Sequence, residues 1–301
     1  MAYAFSAIAD DATANYYNGA GLAFLGSPQF SVNYCGYVPD FVWDRITFIY
    51  LGFGYPLKRS ALGMDVTWFH IPPLGPHIPE EDPYTSWHVA VETNYSRKIL
   101  DDLALGMGLK LLYLGNNREF WSDDPELPPG IGSARQGVAA TLALDFNSLY
   151  IVSDCLWIGA VLHNIGPNLH YTASDTADPL PRLMGIAVAY VPLDNKYIKC
   201  TMSGEMTKLL VDILDGGDDT FWENVMSEFR SVWEAVGLEF TLYRLISLRG
   251  GYFCDKEGGR EGFTFGGGLH ANPFSFDVGI DENILDFPTQ NRTVSLSYRF
   301  D

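Results

Sequence analysis

The amino-acid sequence predicts an all-β fold, a transmembrane antiparallel β-barrel of about fourteen strands. Three observations carry this prediction. The 301-residue chain is rich in aromatic residues and glycine, with 17 Tyr, 19 Phe, 7 Trp and 30 Gly, which favour strands and tight bends. Strand-length segments follow one another from about residue 30 onward. No run of 18 apolar residues is present, so no transmembrane helix is expected, whereas barrel strands need only ~9–11 residues each.

Each predicted strand is rich in β-branched and aromatic residues and is bounded by Gly, Pro, Asn or Asp. The predicted strands are Gln29–Val38, Arg45–Leu57, Ser60–Ile71, Trp87–Ile99, Leu103–Leu114, Ala134–Asn147, Asp154–Asn164, Leu183–Pro192, Lys196–Lys208, Ser231–Tyr243, Leu245–Asp255, Gly262–Asn272, Phe274–Asp281 and Arg292–Phe300.

The side chains within these segments alternate in character. In Leu103–Leu114 one face is large and apolar, while the other is small and carries a single charge, Lys110. In Gly262–Asn272 the polar residues Thr264 and His270 share one face. This alternation predicts strands with an apolar outer face and a crowded inner face, although a soluble β-sandwich would show it too.

Two segments depart from the strand pattern. Residues Ile8–Leu25 are rich in Ala and in other short side chains, which predicts a helical turn followed by a Gly-containing loop. Asp219–Val232 has apolar residues at i, i+4 and i+8, which predicts a short amphipathic helix near 219–232 on a barrel rim. The final strand alternates up to Phe300, and an aromatic last strand is common in outer-membrane barrels.

Charge and cysteine usage narrow the function classes. The formal net charge of −18 excludes an electrostatic nucleic-acid binder, because that role needs clustered Lys and Arg. Cys35, Cys155, Cys200 and Cys254 are widely spaced, without a C-x-x-C pair, so no metal site is expected. One or two disulfides could form, but mostly free thiols are predicted.

Catalytic chemistry is not predicted. Gly266–Gly268 lies inside a strand and resembles no phosphate-binding loop. Asp10 and Asp11 could be paired carboxylates, but adjacent side chains point in different directions and no nucleophile or His accompanies them. The six histidines are scattered. We therefore expect a non-enzymatic protein without a cofactor or metal.

Three stretches resemble the PorV/PorQ family, a branch of FadL-like outer-membrane barrels. They are the N-terminal motif from Ala9-Asp10-Asp11-Ala12-Thr13 to Asn18-Gly19-Ala20-Gly21-Leu22, the turn and strand marked by Asn164, Gly166, Pro167, Pro179, Pro181, Gly185 and Tyr190, and the late hairpins marked by Gly237, Glu239, Leu248, Arg249, Gly251, Tyr252, Phe265, Gly266 and Gly268. Together they cover about a third of the chain. In the first motif Gly19 stands where the family has Pro.

The resemblance implies a domain organisation and a location. Residues 1–28 would form a hatch or plug inside the lumen, and residues 29–301 the barrel. The expected hatch residues are Asp10, Asp11, Asn15, Asn18, Gly19 and Gly21. The protein would reside in the outer membrane, in contact with its lipid, with a secretory signal encoded upstream of Met1.

The leading functional prediction, from the PorV branch, is an accessory barrel that binds a type IX secretion translocon or its secreted cargo domains. The expected contact loops are Ile71–Tyr84 and Asn117–Gly130, and the candidate partner-binding residues are Pro73, His77, Glu80, Tyr84, Trp121, Asp123 and Asp124. The alternative is a FadL-type channel for fatty acids or other hydrophobic solutes, with lipid or detergent in the lumen. A soluble or self-associating all-β structural protein is the third class.

Overall fold

The protein folds into a closed antiparallel barrel. A computed structural model describes residues 1–37, 46–72, 85–116, 120–121, 133–134, 137–172, 177–210, 232–256, 258–281 and 290–301. The strands are β1 (Gln29–Tyr37), β2 (Ile46–Pro56), β3 (Ser60–Ile71), β4 (Ser86–Lys98), β5 (Leu103–Asn116), β6 (Phe120–Trp121), β7 (Ser133–Ala134), β8 (Gly137–Ser153), β9 (Leu156–Ile165), β10 (Leu169–His170), β11 (Ala177–Asp178), β12 (Leu183–Asp194), β13 (Ile198–Leu209), β14 (Val232–Leu242), β15 (Ile246–Asp255), β16 (Arg260–Ala271), β17 (Phe274–Asp281) and β18 (Arg292–Arg299).

Fourteen of these strands form the wall, in the order β1-β18-β17-β16-β15-β14-β13-β12-β9-β8-β5-β4-β3-β2. The first strand closes on the last, with Gln29 opposite Arg299 and Gly36 opposite Arg292. The predicted fourteen-stranded barrel is therefore confirmed, and a sandwich with open edges is excluded. In a closed wall every strand has two hydrogen-bonded neighbours, so no edge is left unpaired.

Several element boundaries differ from the sequence predictions. The strand predicted at Ala134–Asn147 is β8, which runs from Gly137 to Ser153. The two-residue pairs β6–β7 and β10–β11 lie outside the wall and were not predicted. The predicted helix lies outside the described residues over 219–231, while Val232, its last residue, begins β14.

The connections divide the barrel into two rims. At one rim, which we call the short-turn rim, residues 57–59, 99–102, 154–155, 195–197, 243–245 and 272–273 join successive strands. At the opposite rim, the long-connection rim, the joining segments include 72–85, 117–136, 166–182 and 210–231. Barrels of the outer membrane show this asymmetry, with short turns at one end and long loops at the other.

The outer face of the wall is apolar. On β5, Leu105, Met107 and Leu109 are exposed, whereas Ala104 and Gly108 on the opposite face are buried. The predicted alternation of this strand is thereby confirmed. Exposed apolar side chains recur on other strands, through Ile186 and Val188 on β12, Leu238 and Phe240 on β14, Phe263 and Phe265 on β16, and Phe276 and Val278 on β17.

The inner face differs between two sides of the barrel. The packed side consists of β2, β3, β4, β5, β8, β9 and β12. Small inward residues, Ala61 on β3, Ala104 on β5 and Ala187 on β12, contact buried residues of the N-terminal segment, which we define as residues 1–28. The polar side consists of β13 to β18 and β1, and its inward residues are mainly Ser, Thr and charged.

The N-terminal segment contains the two helical elements of the described chain, α1 (Ala14–Tyr17) and a 3-10 helix over Gly19–Phe24. A helical turn was predicted here, but Gly19–Phe24 is helical where a loop was expected. None of the described helices is long and apolar enough to cross a membrane.

Candidate functional site: the lumen and the N-terminal segment

The N-terminal segment lies on the inner side of the wall. Asn15 Nδ2 donates to the Phe53 carbonyl on β2 (3.1 Å), and Asn18 Nδ2 donates to the Ser148 carbonyl on β8 (2.9 Å). The Ala2 amide donates to Thr264 Oγ1 on β16 (3.1 Å). These strands lie on different sides of the closed barrel, so the segment runs between them through the lumen.

Two asparagines of the predicted hatch set also fix the internal shape of the segment. Asn15 Nδ2 donates to the Ala12 carbonyl at 2.9 Å, and Asn18 Nδ2 donates to the Ser6 carbonyl at 2.6 Å. Asn18 Oδ1 accepts from the Ala20 amide at 3.2 Å, which caps the 3-10 helix. Both side chains are buried, so their hydrogen bonds take the place of those lost to water.

Glycines of the same set allow close packing. A Cβ at Gly21 would lie 2.1 Å from the Ala9 carbonyl oxygen, and a Cβ at Gly19 would lie 2.6 Å from Asn94 Oδ1 on β4. The first contact is with backbone, which cannot rotate away. Gly21 is therefore required by the way the segment folds against itself.

Glu205 on β13 fixes the beginning of the segment. Its carboxylate accepts hydrogen bonds from the Ser6 hydroxyl (2.7 Å), the Ser6 amide (3.1 Å) and the Phe5 amide (3.2 Å). From β2, the Tyr50 hydroxyl donates to the Ala12 carbonyl at 2.9 Å. Side chains from opposite parts of the wall thus satisfy the irregular backbone of the segment.

The two predicted carboxylates, Asp10 and Asp11, have different surroundings. Asp11 Oδ1 accepts from the Thr13 amide at 2.8 Å and from its hydroxyl. The Asp10 side chain is exposed to the lumen, where it lines a cavity. The pKa of Asp10 is raised to about 6, first because the surrounding protein removes water from the carboxyl and then because Asp11 is adjacent.

A buried charge cluster occupies the packed side. Lys110 Nζ lies 2.8 Å from Asp145 Oδ2 and 3.1 Å from Glu92 Oε2. It also donates to Asn164 Oδ1 at 3.0 Å, and His163 Nδ1 lies 2.6 Å from Asp145 Oδ2. The side chains of Glu92 and Asp145 are only 2% and 1% exposed, so the lysine charge is what makes their burial tolerable.

An aromatic patch lies beside the segment on the side of the long-connection rim. We define it as Tyr16, Tyr37, Phe48, Tyr50 and Phe69. The Tyr16 ring lies 6.1 Å from Phe48 and 6.0 Å from Tyr50, and the Tyr37 ring lies 6.0 Å from Phe69. Phe48 and Phe69 are directly opposed on β2 and β3. The patch offers apolar ring surface within the lumen, and Tyr16 is 44% exposed.

A polar cavity of about 640 Å³ lies between the segment and the polar side. Arg249 lines it and pairs with both Glu239 and Asp277. Arg244 and Pro273 also line it, so the cavity extends to the short-turn rim. Among the described residues, no group of three or more His, Cys, Asp or Glu is arranged to hold a metal ion.

The predicted partner-binding residues are not tested by the structure. Pro73, His77, Glu80, Tyr84, Asp123 and Asp124 lie outside the described residues, and of Trp121 only the backbone, in β6, is described. All four cysteines are free.

Asp145 and Glu205 were not singled out from the sequence, whereas Lys110 was noted as the lone charge on its strand face and Arg249 only as part of the family resemblance. Lys110, Asp145, Glu205 and Arg249 each occupy an inward position on a strand whose outward neighbours are apolar. A lone charge on the small or polar face of an alternating segment is therefore the signal that would have found them.

Fold and site together define a closed fourteen-stranded barrel whose lumen is partly filled by its own N-terminus. This architecture is similar to that of FadL-type barrels. The toluene transporter TbuX of Ralstonia pickettii superposes with a TM-score of 0.64 at 12% identity, over 96% of this chain and 94% of the other. The toluene transporter TodX of P. putida gives 0.59 at 11% identity, over 96% and 94%.

A FadL homologue of Pseudomonas aeruginosa gives a TM-score of 0.54 at 13% identity, over 99% of this chain and 96% of the other. No family model and no curated protein matches the sequence. The FadL-like fold is thus established by structure, whereas membership of the PorV/PorQ branch stays a prediction.

Proposed function

We propose that this chain is an outer-membrane barrel through which small hydrophobic solutes cross, with residues 1–28 acting as a hatch. The apolar exterior supports a membrane location, because fourteen strands expose large aliphatic and aromatic side chains where a soluble protein would place polar ones. The FadL-like fold, shared with two toluene transporters over almost the whole chain, supports transport.

The aromatic patch is the observation that carries the proposal. Ring faces and edges within the lumen give a small apolar or aromatic solute a favourable surface away from water. The patch is formed by wall residues and by Tyr16 of the N-terminal segment together. A solute bound there would contact the hatch directly, so binding and hatch position would be linked.

Solute uptake into vesicles tests this proposal. Purified protein is reconstituted, and uptake of labelled toluene and of a long-chain fatty acid is measured. Phe48→Ala and Phe69→Ala remove rings from the patch, and each is expected to lower uptake about five- to tenfold, since an aromatic contact is worth ~1–1.5 kcal/mol.

Phe53→Ala is the matched control, because Phe53 lies on the same strand as Phe48 but faces outward. It is expected to leave uptake unchanged. Uptake no faster than into protein-free vesicles would contradict the transport proposal, and so would an equal loss in Phe48→Ala and Phe53→Ala.

A second candidate is the PorV-like accessory role, in which the barrel binds a type IX translocon or its cargo. The resemblance in three ordered stretches supports it. The structure gives one of them a clear local geometry, because Asn164 has a positive φ of 59° and its amide donates to Asp145 Oδ1 at 2.8 Å. Extraction in mild detergent tests this role: it predicts a large co-purifying partner, lost on replacing residues 73–84 or 122–130 by short Gly-Ser linkers.

A further inference from the structure

The lining of the polar cavity carries several charged side chains. Its wall carries Glu239, Arg249 and Asp277 from β14, β15 and β17, and Lys199 from β13, while Asp10 comes from the N-terminal segment. Hydroxyl groups fill much of the remaining lining. The cavity is large enough for a small molecule, since ligand pockets commonly have volumes of several hundred Å³.

Most of these charges already have partners. Arg249 is held between Glu239 and Asp277, and His270 Nε2 lies 3.0 Å from Ser247 Oγ and 3.8 Å from Asp277. At the short-turn rim, Arg244 lies 3.0 Å from Asp194. The positive and negative charges of this network nearly balance, so these side chains do not need a ligand to neutralise them.

Asp10 and Lys199 are the exceptions. Within the described ranges, the Asp10 carboxylate has no side-chain hydrogen bond or ion pair with another residue. In the same ranges the Lys199 ammonium has no ion pair either; its nitrogen lies 5.8 Å from the centroid of the Trp157 ring, and it attracts the Asp10 carboxylate from beyond ion-pair distance. Both side chains line the same cavity, so a positive and a negative group share one space without touching.

We propose that this cavity binds a small zwitterion, a solute with an ammonium at one end and a carboxylate at the other. The ammonium would pair with Asp10 and the carboxylate with Lys199. Thr201, two residues from Lys199 on the same inward face of β13, would donate a hydroxyl hydrogen bond to the carboxylate. Because charge-assisted hydrogen bonds form at both ends, such a ligand binds more tightly than a molecule that carries only one of the two charges.

The class of ligand follows from the charge pattern. A purely hydrophobic solute would displace water from Asp10, Lys199 and several hydroxyls without replacing their hydrogen bonds, which is unfavourable. A simple anion or cation would satisfy one of the two groups only. The inference concerns the cavity at the polar side of the lumen and is independent of hydrophobic transport at the aromatic patch, since none of the five patch residues lines this cavity.

Binding of matched probes to the detergent-solubilised full chain tests the proposal. The zwitterions are glycine and gamma-aminobutyrate, and the single-charge probes are butylamine and butyrate. Saturation-transfer NMR titrations give the dissociation constants. We expect one of the zwitterions to bind about tenfold more tightly than either single-charge probe.

Two variants test which residue binds the ammonium end of the ligand and which binds the carboxylate end. Asp10→Asn is expected to weaken binding of the zwitterion and butylamine about tenfold without affecting butyrate, and Lys199→Met should do the converse. Asp154→Asn and Lys196→Met, in exposed turns, are controls expected to change nothing. The proposal is overturned if neither zwitterion binds saturably, if all four probes bind alike, or if both variants weaken every probe equally.

Discussion

The packed side and the polar side of the lumen are built on the same wall and do different things. Their outward faces are alike, with Ile186 on one side and Phe265 on the other exposed in the same apolar belt. Their inward faces differ, because alanine and glycine on the packed side admit most of the N-terminal segment, whereas the polar side contacts its first residues at Ala235 and Phe253 and otherwise borders a cavity with Ser, Thr and charged residues. In a closed barrel, therefore, the outward residues match the medium around the barrel, and the inward residues determine what the lumen can hold.

The largest test of this comparison removes one cation from each side. Lys110→Met leaves the carboxylates of Glu92 and Asp145 buried without their lysine, and we expect a loss of ~3–5 kcal/mol in the free energy of unfolding. Arg249→Met leaves Glu239 and Asp277, whose side chains are 18% and 21% exposed, in contact with cavity water. We expect a loss of about 1 kcal/mol there.

Urea unfolding in lipid vesicles, followed by tryptophan fluorescence, measures both variants. Equal losses of unfolding free energy would show that the two charge clusters are equally shielded from water, and the division into a packed and a polar side would have to be abandoned.

A second pair of variants adds one methyl group, once within the N-terminal segment that fills the packed side and once on the polar side. In Gly21→Ala the new Cβ would lie 2.1 Å from the Ala9 carbonyl oxygen, so the segment must shift, and we expect a cost of ~1–3 kcal/mol. In Gly279→Ala the nearest atom, the Phe265 carbonyl oxygen, is 3.8 Å away, so the methyl fits. Protease cleavage within residues 1–28 is the measurement. Faster cleavage in Gly279→Ala than in Gly21→Ala would refute this assignment.

Glu205 lies at the border between the two sides, and its removal should act locally. Glu205→Ala leaves the Ser6 amide without its acceptor, at a cost of about 1 kcal/mol, whereas the Phe5 amide still donates to the Tyr3 carbonyl at 2.8 Å. We expect hydrogen exchange at the Ser6 amide to accelerate about fivefold, with a smaller change at Phe5 and the barrel amides unchanged. Thr207→Ala, on the same strand, is the control, and a similar acceleration in that variant would rule out a specific role for the carboxylate.

The smallest expected effect is that of Asp10. Its raised pKa, about 6, means that the folded protein holds this proton more tightly than the unfolded chain does. The resulting stability is fully present below the unfolded value near 3.8 and is lost as the pH rises through about 6. Asp10→Asn should therefore be slightly more heat-resistant than the wild type at pH 8 and indistinguishable from it at pH 4. Loss of the folded electrophoretic band on heating measures this, and a less stable variant at pH 8 would contradict it.

Much of the wall could be predicted from the sequence because alternation is a local property. The strand around Leu105 and Met107 was identified from its own residues, and so was the barrel class. The end of β8 was misplaced because Asn147 was interpreted as a terminator. Asn147 is instead a buried inward residue whose Nδ2 would lie 3.3 Å from a Cβ at Gly19, so it packs against the N-terminal segment and does not end the strand.

The lumen was harder to predict because its contacts join distant parts of the chain. Asp10 was singled out, but Lys199, with which it shares a cavity, was not, and nothing in either neighbourhood indicates the other. The same holds for Lys110 and Asp145, which meet only because β5 and β8 are adjacent. Such pairings depend on strand order and register, which local patterns do not determine.

The pairing of β1 with β18 imposes an order of assembly. The seam joins the two ends of the chain, and the Ala2 amide finds its acceptor on Thr264, 262 residues away. The cylinder can close only after its final strand has been synthesised and delivered, and whatever it encloses must be in position by then. Contacts so distant in sequence form slowly. Residues 1–28 must therefore avoid pairing elsewhere until β18 is in place, and closure of the barrel then encloses them.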